Sequence, residues 1–362
     1  MTARVYRFAP NELRIGPGAA DGLPEVVAEL GGSPLVVADT GGRAVAGDVL
    51  GALAKQIPET QVDPFAGECT ADAIGRLAEA ARGRRVLVGV GGGKALDAAK
   101  AAAVAARVPC VTVPTSAATC AAYTPLSILH EASGSYVESR RLPRPVAACL
   151  IDVDRIVTAP PRLLAAGIVD ALARAFDTIL AARIGVPTAT ASFSLAVCRE
   201  FVERTLLPLG ARALADNTAG EPTDAFTRVV EASIVGAGLA GETGARFFGR
   251  SFSHAVAYAL SDVVDPDDVL HGEAAGLGIL VHAVLDPEPP VPLDALRDHF
   301  AAWGVPVSFA KIDVAGIDGP DGARLASRTL NYLDRERAVP FPVDASDLHR
   351  AMITVDTIGT RN

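Results

Sequence analysis

Two of the six histidines stand beside segments of helical pattern: His254 in Ser253–Tyr258 and His271 at the start of His271-Gly272-Glu273-Ala274-Ala275. A lone aspartate, Asp170, is set in the apolar helical run Gly167–Leu172. Catalytic divalent metals are commonly held by three protein ligands, with one position left open for a substrate oxygen. A buried carboxylate needs a partner, and a metal is one such partner. The same residues admit a plainer account, with Asp170 as a helix N-cap after a break at Gly167 and the histidines as core residues. His130, His282, His299 and His349 form no evident cluster in the sequence.

A second feature with chemical content is Gly89-Val90-Gly91-Gly92-Gly93-Lys94, which follows a predicted strand and opens a predicted helix. Glycines there let backbone N–H groups approach a diphosphate, and the helix N-terminus adds positive potential. Two familiar motifs do not fit. Lys94 occupies the third glycine position of G-x-G-x-x-G, and the P-loop fails in spacing and in having Ala95 where a hydroxyl residue belongs. Asp39 ends an earlier predicted strand. A carboxylate in that place accepts hydrogen bonds from an adenosine ribose and repels a 2′-phosphate, which favours NAD over NADP. Its other reading is a turn residue before Gly41-Gly42.

These groups need a frame. Buried strands are predicted at Leu35–Asp39, Arg85–Val90, Val108–Val113 and Ala148–Val153, with helices between them at 21–30, 43–55, 70–82 and 95–106. Continuous apolar strands alternating with helices imply a parallel sheet covered on both faces. Beyond Thr158-Ala159-Pro160-Pro161 the pattern is helical, with the prolines suited to a helix start and Thr158 to a cap. The expected division is an α/β dinucleotide-binding domain over 1–157 and an all-helical metal- and substrate-binding domain over 158–362, with a frayed end from Ile353. Two domains suit 362 residues at roughly 150 per domain.

Composition narrows the function. The net charge of −9 and the lack of a dense Lys/Arg stripe argue against nucleic acid. The most apolar stretch, 96–114, carries Lys100 and Arg107 and is too short and charged to span a membrane. Five cysteines without a C-x-x-C pair fit reduced thiols in a cytoplasmic protein.

Together these segments resemble the glycerol dehydrogenase-like branch of the iron-containing (group III) alcohol dehydrogenases, over nearly the whole chain. The resemblance is carried by G-V-G-G-G-K-A-L-D-A-A-K (89–100), V-P-T-S-A-A-T (113–119), A-P-P-R-L-L-A-A-G-I-V-D-A-L-A (159–173) and the His254 and His271 segments. The block T-C-A-A-Y-T-P-L-S (119–127) looks closest to a hydroxycarboxylate dehydrogenase subgroup that reduces 2-oxo acids. The resemblance implies a dehydroquinate synthase-like fold, an α/β Rossmann-like N-terminal domain plus an all-α C-terminal domain, with the active site in the cleft between. It implies Asp170, His254 and His271 as ligands of zinc or iron, and Asp39 as the ribose acceptor. Gly92, Gly93, Lys94 and Asp97 match the diphosphate and nicotinamide loop. Thr115, Thr119, Thr124, Leu126 and His130 fall on cofactor contacts, His130 where a tyrosine is usual. It also implies a homo-oligomer.

Two departures bear on the substrate. Cys120 stands where glycerol dehydrogenases carry an aspartate, and Tyr258 where relatives often carry a second histidine. Arg246, eight residues before His254, is a candidate clamp for a substrate carboxylate, which a guanidinium binds bidentately; its alternative is a solvated or salt-bridged arginine. The expected function is hydride transfer between NAD(H) and a small alcohol or carbonyl substrate, a 2-hydroxy acid/2-oxo acid pair first. A biosynthetic imine or aldehyde reductase on the same scaffold, able to work without metal, is the alternative. Further back stand a sugar-phosphate cyclase and a cofactor-binding scaffold with a decayed site.

Overall fold

The computed structural model describes residues 10–183, 188–242, 252–265, 268–314, 316–336 and 339–360. The chain forms two compact units, residues 1–164 with 215–238, and residues 165–214 with 239–362. The sequence placed one boundary at 157; in the structure the division falls within a helix, and 215–238 groups with the N-terminal unit.

The first unit is built on a six-stranded, all-parallel sheet of β1 (Glu12–Gly16), β2 (Pro34–Ala38), β3 (Gln61–Pro64), β4 (Val86–Gly91), β5 (Cys110–Pro114) and β8 (Ala148–Asp152), in the order β1-β8-β5-β4-β2-β3. Every residue of β2, β4, β5 and β8 is buried, as expected for strands covered on both faces. These four are the strands predicted from sequence. β1 and β3 are sheet edges with no apolar run to announce them. A separate antiparallel hairpin of β6 (Leu126–His130) and β7 (Tyr136–Arg141) was also missed, because only alternate residues of β6 are buried. The helices are α1 (Leu23–Glu29), α2 (Thr40–Val45), α3 (Gly47–Gln56), α4 (Ala71–Ala80), α5 (Gly93–Ala106) and α6 (Val153–Ile156). The single helix expected over 43–55 is two, broken at Ala46.

Topology fixes where a ligand can enter. β2 and β4 are neighbours, but the chain leaves β2 toward β3 on one side and β4 toward β5 on the other. Open α/β sheets bind ligands at such a switch point, outside the carboxyl ends of the strands. Asp39 follows β2 and the glycine loop follows β4, so both lie there.

Beyond Asp152 no strand occurs among the described residues. α7 (Pro161–Ala182) starts at Pro161; Thr158 does not cap it, its hydroxyl instead donating to Arg155 O at 2.7 Å. Then come α8 (Ala189–Phe201), α9 (Leu207–Ala219), α10 (Asp224–Glu231), α11 (Ala237–Ala240), α12 (Phe252–Leu260), α13 (His271–Leu285), α14 (Leu293–Ala302), α15 (Pro320–Glu336) and α16 (Ala345–Gly359). α16 overturns the frayed end: Leu348, Ala351, Met352 and Val355 are buried, so the helix holds to Gly359.

In the second unit α13 is buried on all sides from Gly272 to Ala283, which makes it the central helix. Gly272 lets it approach α7 closely. A Cβ there would lie 2.0 Å from the carbonyl oxygen of Ala166, and one at Gly276 would lie 2.9 Å from Val169. That approach brings the first residue of α13 next to the middle of α7.

Candidate metal centre and cofactor loop

Asp170, His254 and His271 converge, with one potential ligand atom from each lying within 4.8 Å of the others. They come from α7, α12 and α13. Asp170 lies mid-helix in α7, which removes the N-cap alternative. Asp170 Oδ1 is 3.4 Å from His254 Nε2 and 3.5 Å from His271 Nε2. Ligand atoms at about 2.1 Å from a tetrahedral ion stand roughly 3.4 Å apart, so the spacing suits a small divalent cation. Asp170 Oδ1 and His254 Nε2 are buried with no hydrogen-bond partner of good geometry, an arrangement that is costly without a cation between them. Asp170 and His254 are buried and His271 is exposed, which leaves one side of the cluster open to solvent.

Charge supports the same reading. Burial alone pushes the Asp170 carboxyl up, but His254 and His271, with Arg174, outweigh it and hold it at about 2, so it is ionised at neutral pH. Burial and Arg174 push His254 down, while Asp170 and Asp177 pull it above its ordinary value. A site that draws a proton onto a histidine also draws a metal cation. Tyr258 stacks on His271 with ring centroids 6.2 Å apart, and Tyr332 meets Tyr258 edge-on at 5.9 Å. Arg246 lies outside the described residues.

The loop after β4 is shaped by Asp39. Its carboxylate caps α2 by accepting the Gly42 N–H at 2.5 Å and also accepts the Gly92 N–H at 2.8 Å. Asp39 is thus a turn residue and a brace for the glycine loop, and the two readings of it are compatible. Gly91 has φ of +142°, and a Cβ there would fall 2.2 Å from Asp39 Oδ2, so only glycine fits. Gly92 is the N-cap of α5 and Gly93 its first residue. The first-turn amides of such a helix have no carbonyl partners within it. Thr115 N–H bonds Gly91 O at 3.1 Å, joining the ends of β4 and β5, and the Thr119 hydroxyl lies over Gly93.

Not every expected cofactor contact faces that loop. Lys94 pairs with Glu68, which lies 4.0 Å from His130 Nδ1. Burial pushes His130 below its ordinary value against the pull of Glu68. Asp97 is buried, its carboxylate bonded by Lys100 at 2.8 Å and by the Ile128 N–H at 3.0 Å. Thr124 and Leu126 present their carbonyls to Lys100 Nζ, as does Ala121. Cys120 is buried in the same loop, its carbonyl accepting from the Tyr123 and Thr124 amides.

Three residues escaped the sequence reading. Lys100 figured as a break in an apolar stretch and as the last residue of the 89–100 segment, with no role assigned; it is a fully buried cation that shapes residues 121–126. Glu68, the partner of Lys94, gave no signal. Asp177 follows Asp170 by seven residues, two helical turns, and that spacing was the available clue.

Comparison with known proteins bears out the family resemblance. Residues 10–151 match the family model described as iron-containing alcohol dehydrogenase. Over 97% of both chains the sequence is 31% identical to a glycerol dehydrogenase of Pseudomonas putida. It is 30% identical to hydroxycarboxylate dehydrogenase A of Escherichia coli K12, covering 81% of each. The fold matches the crystal structure of a probable glycerol dehydrogenase from Sinorhizobium meliloti 1021 with a TM-score of 0.86 at 27% identity, over 99% of this chain and 100% of that one.

Proposed function

Because the chain belongs to the iron-containing alcohol dehydrogenase family and is an oxidoreductase, we propose that it transfers hydride between NAD(H) and a small 2-hydroxy acid/2-oxo acid pair with the help of a divalent metal, zinc or iron. The observation that carries the proposal is the convergence of Asp170, His254 and His271 with their ligand atoms turned inward.

Those three residues would hold the metal. When bound, it supplies Lewis acidity toward a substrate oxygen. A nicotinamide cofactor, when bound, would supply the hydride chemistry. The Gly92–Gly93 turn and the start of α5 offer backbone N–H groups and helix-end potential to the diphosphate. Asp39, at the end of β2, has unshared lone pairs for ribose hydroxyls and repels a 2′-phosphate, which is why NAD is preferred to NADP. Tyr258, its ring stacked on His271, brings a phenol beside the ligands as a group to hold a proton; a free phenol's ordinary value of about 10 suits neutral pH less well than a histidine's.

The oxo-acid preference rests on Cys120. The glycerol dehydrogenases it resembles carry an aspartate at that position, and a buried thiol offers no carboxylate to a polyol. The hydroxycarboxylate dehydrogenase relative points the same way.

The test is NADH oxidation followed by absorbance with short 2-oxo acids, aldehydes, glycerol's ketone product and a cyclic imine, with and without a chelator. Chelator-sensitive turnover of the oxo acids is expected. Turnover confined to the imine, or indifferent to chelation, would sink the proposal in favour of an imine reductase on this scaffold.

A further inference from the structure

The tautomer of a metal-binding histidine is set by what its other nitrogen bonds. Asp177 lies on the same face of α7 as Asp170 and is buried. Its Oδ1 accepts the Ser253 N–H at 2.9 Å, and its Oδ2 is 2.7 Å from His254 Nδ1. Ser253 is in the first turn of α12, where backbone N–H groups have no acceptor within their own helix. That amide therefore fixes how the carboxylate is turned, with one oxygen committed to the backbone and the other presented to the ring.

We propose that Asp177 is a positioning residue that keeps the hydrogen of His254 on Nδ1 and so reserves the Nε2 lone pair for the metal. The reasoning is one of donors and acceptors. An ionised carboxylate only accepts, so at 2.7 Å the imidazole nitrogen facing it must carry the hydrogen. In the neutral ring the lone pair is then on Nε2, the atom 3.4 Å from Asp170 Oδ1 and without a hydrogen-bond partner. Asp177 thus does two jobs with two oxygens: it anchors the start of α12 and orients the ring one residue further on. This inference rests on the metal reading above and extends it from the ligands to the residue behind them.

Asp177→Asn separates the two jobs. The amide offers one acceptor and one donor. If its oxygen stays on the Ser253 N–H, its NH2 faces His254 Nδ1, draws the lone pair there and moves the ring hydrogen to Nε2. If the amide flips, NH2 meets the Ser253 N–H, donor against donor. Asp177→Ala removes the charge without dictating either tautomer. The experiment is a competition titration of the full-length parent and both variants with Zn2+ against a chromophoric chelator. NADH binding and circular dichroism serve as controls on the fold.

Asp177→Asn is expected to weaken Zn2+ binding by about 10- to 100-fold, at least as much as Asp177→Ala does, with NADH binding unchanged. Zn2+ affinity within twofold of the parent, or Asp177→Ala clearly weaker than Asp177→Asn, would overturn the proposal. A parent that binds no Zn2+ would instead overturn the metal reading, and this inference with it. If Asp177→Asn does not fold, 15N-histidine NMR of the parent decides: a ring hydrogen on His254 Nδ1 is expected, and one on Nε2 refutes the assignment.

Discussion

Replacing Lys100 with methionine tests how the cofactor unit is held together. The Lys100 ammonium is wholly buried and has three N–H donors for four oxygens: the carbonyls of Ala121, Thr124 and Leu126, and Asp97 Oδ1 at 2.8 Å. Methionine nearly conserves the volume, so the loss is electrostatic. Removing one member of a buried ion pair costs about 3–5 kcal/mol because the other charge remains. Asp97 keeps the Ile128 N–H, which softens that loss, while each carbonyl stranded without a donor adds about 1–3 kcal/mol unless water reaches it. A destabilisation of about 4–5 kcal/mol follows, a large share of the roughly 5–15 kcal/mol that holds a typical domain. Urea unfolding followed by circular dichroism measures it. Adding Asp97→Asn removes the stranded charge and should restore about 1–2 kcal/mol. The loop bearing Thr119, Cys120 and Thr124 loses its anchor, so NADH affinity should fall while Zn2+ affinity holds. A loss under about 1 kcal/mol, or a double variant no better than the single one, would refute the reasoning.

Gly272→Ala should weaken Zn2+ binding by more than tenfold in a chelator competition. The new methyl would meet the Ala166 carbonyl at 2.0 Å and force α13, with His271, away from Asp170; an unchanged affinity would show that the close approach is not required. Burial pushes the Asp286 carboxyl up, but His282, the Glu288 amide and Arg183 outweigh it and hold it at about 2, below its ordinary 3.8. Its contribution to stability is therefore fully present above pH 3.8 and is lost as pH falls toward 2. The stability gap between the parent and Asp286→Asn should narrow across that window, and a constant gap on acid titration would argue against the pairing. Burial also pushes the thiols of Cys69, Cys110, Cys149 and Cys198 up to about 12. An aromatic disulfide reagent should leave these four unlabelled until denaturant is added, and rapid labelling of the native protein would contradict the burial.

The legible parts of the fold were those whose signal is local. β2, β4, β5 and β8 are buried on both faces and so are written as continuous apolar runs. β1 and β3, on the edges, take their stability from a neighbour's backbone, which leaves no mark in their own side chains. The glycine loop was readable because positive φ and close approach demand one residue type. Asp39 was readable as a carboxylate at a strand end, but its grip on Gly42 and Gly92 depends on two strands lying side by side. Asp170, His254 and His271 are far apart in sequence; their residue types suggested a metal set but left the cap-and-core account open, and the resemblance to a family favoured the metal before the structure brought them together. Lys100 shows the limit most clearly. Its partners include three backbone carbonyls, groups every residue carries, so nothing in the sequence distinguishes the loop that receives it.

No two of the candidate ligands share a helix: Asp170 is on α7, His254 on α12 and His271 on α13. A cation held by all three would act as a removable cross-link, closing one long loop of chain and one short one. Such closure takes conformational freedom mainly from the unfolded chain, as a disulfide does. It would let a chain with five free cysteines and no disulfide gain a tether that forms after folding brings the three helices together and dissolves in the presence of a chelator. Resistance to heat and to proteases in the helical unit would then rise and fall with the supply of metal, independently of whether substrate is present.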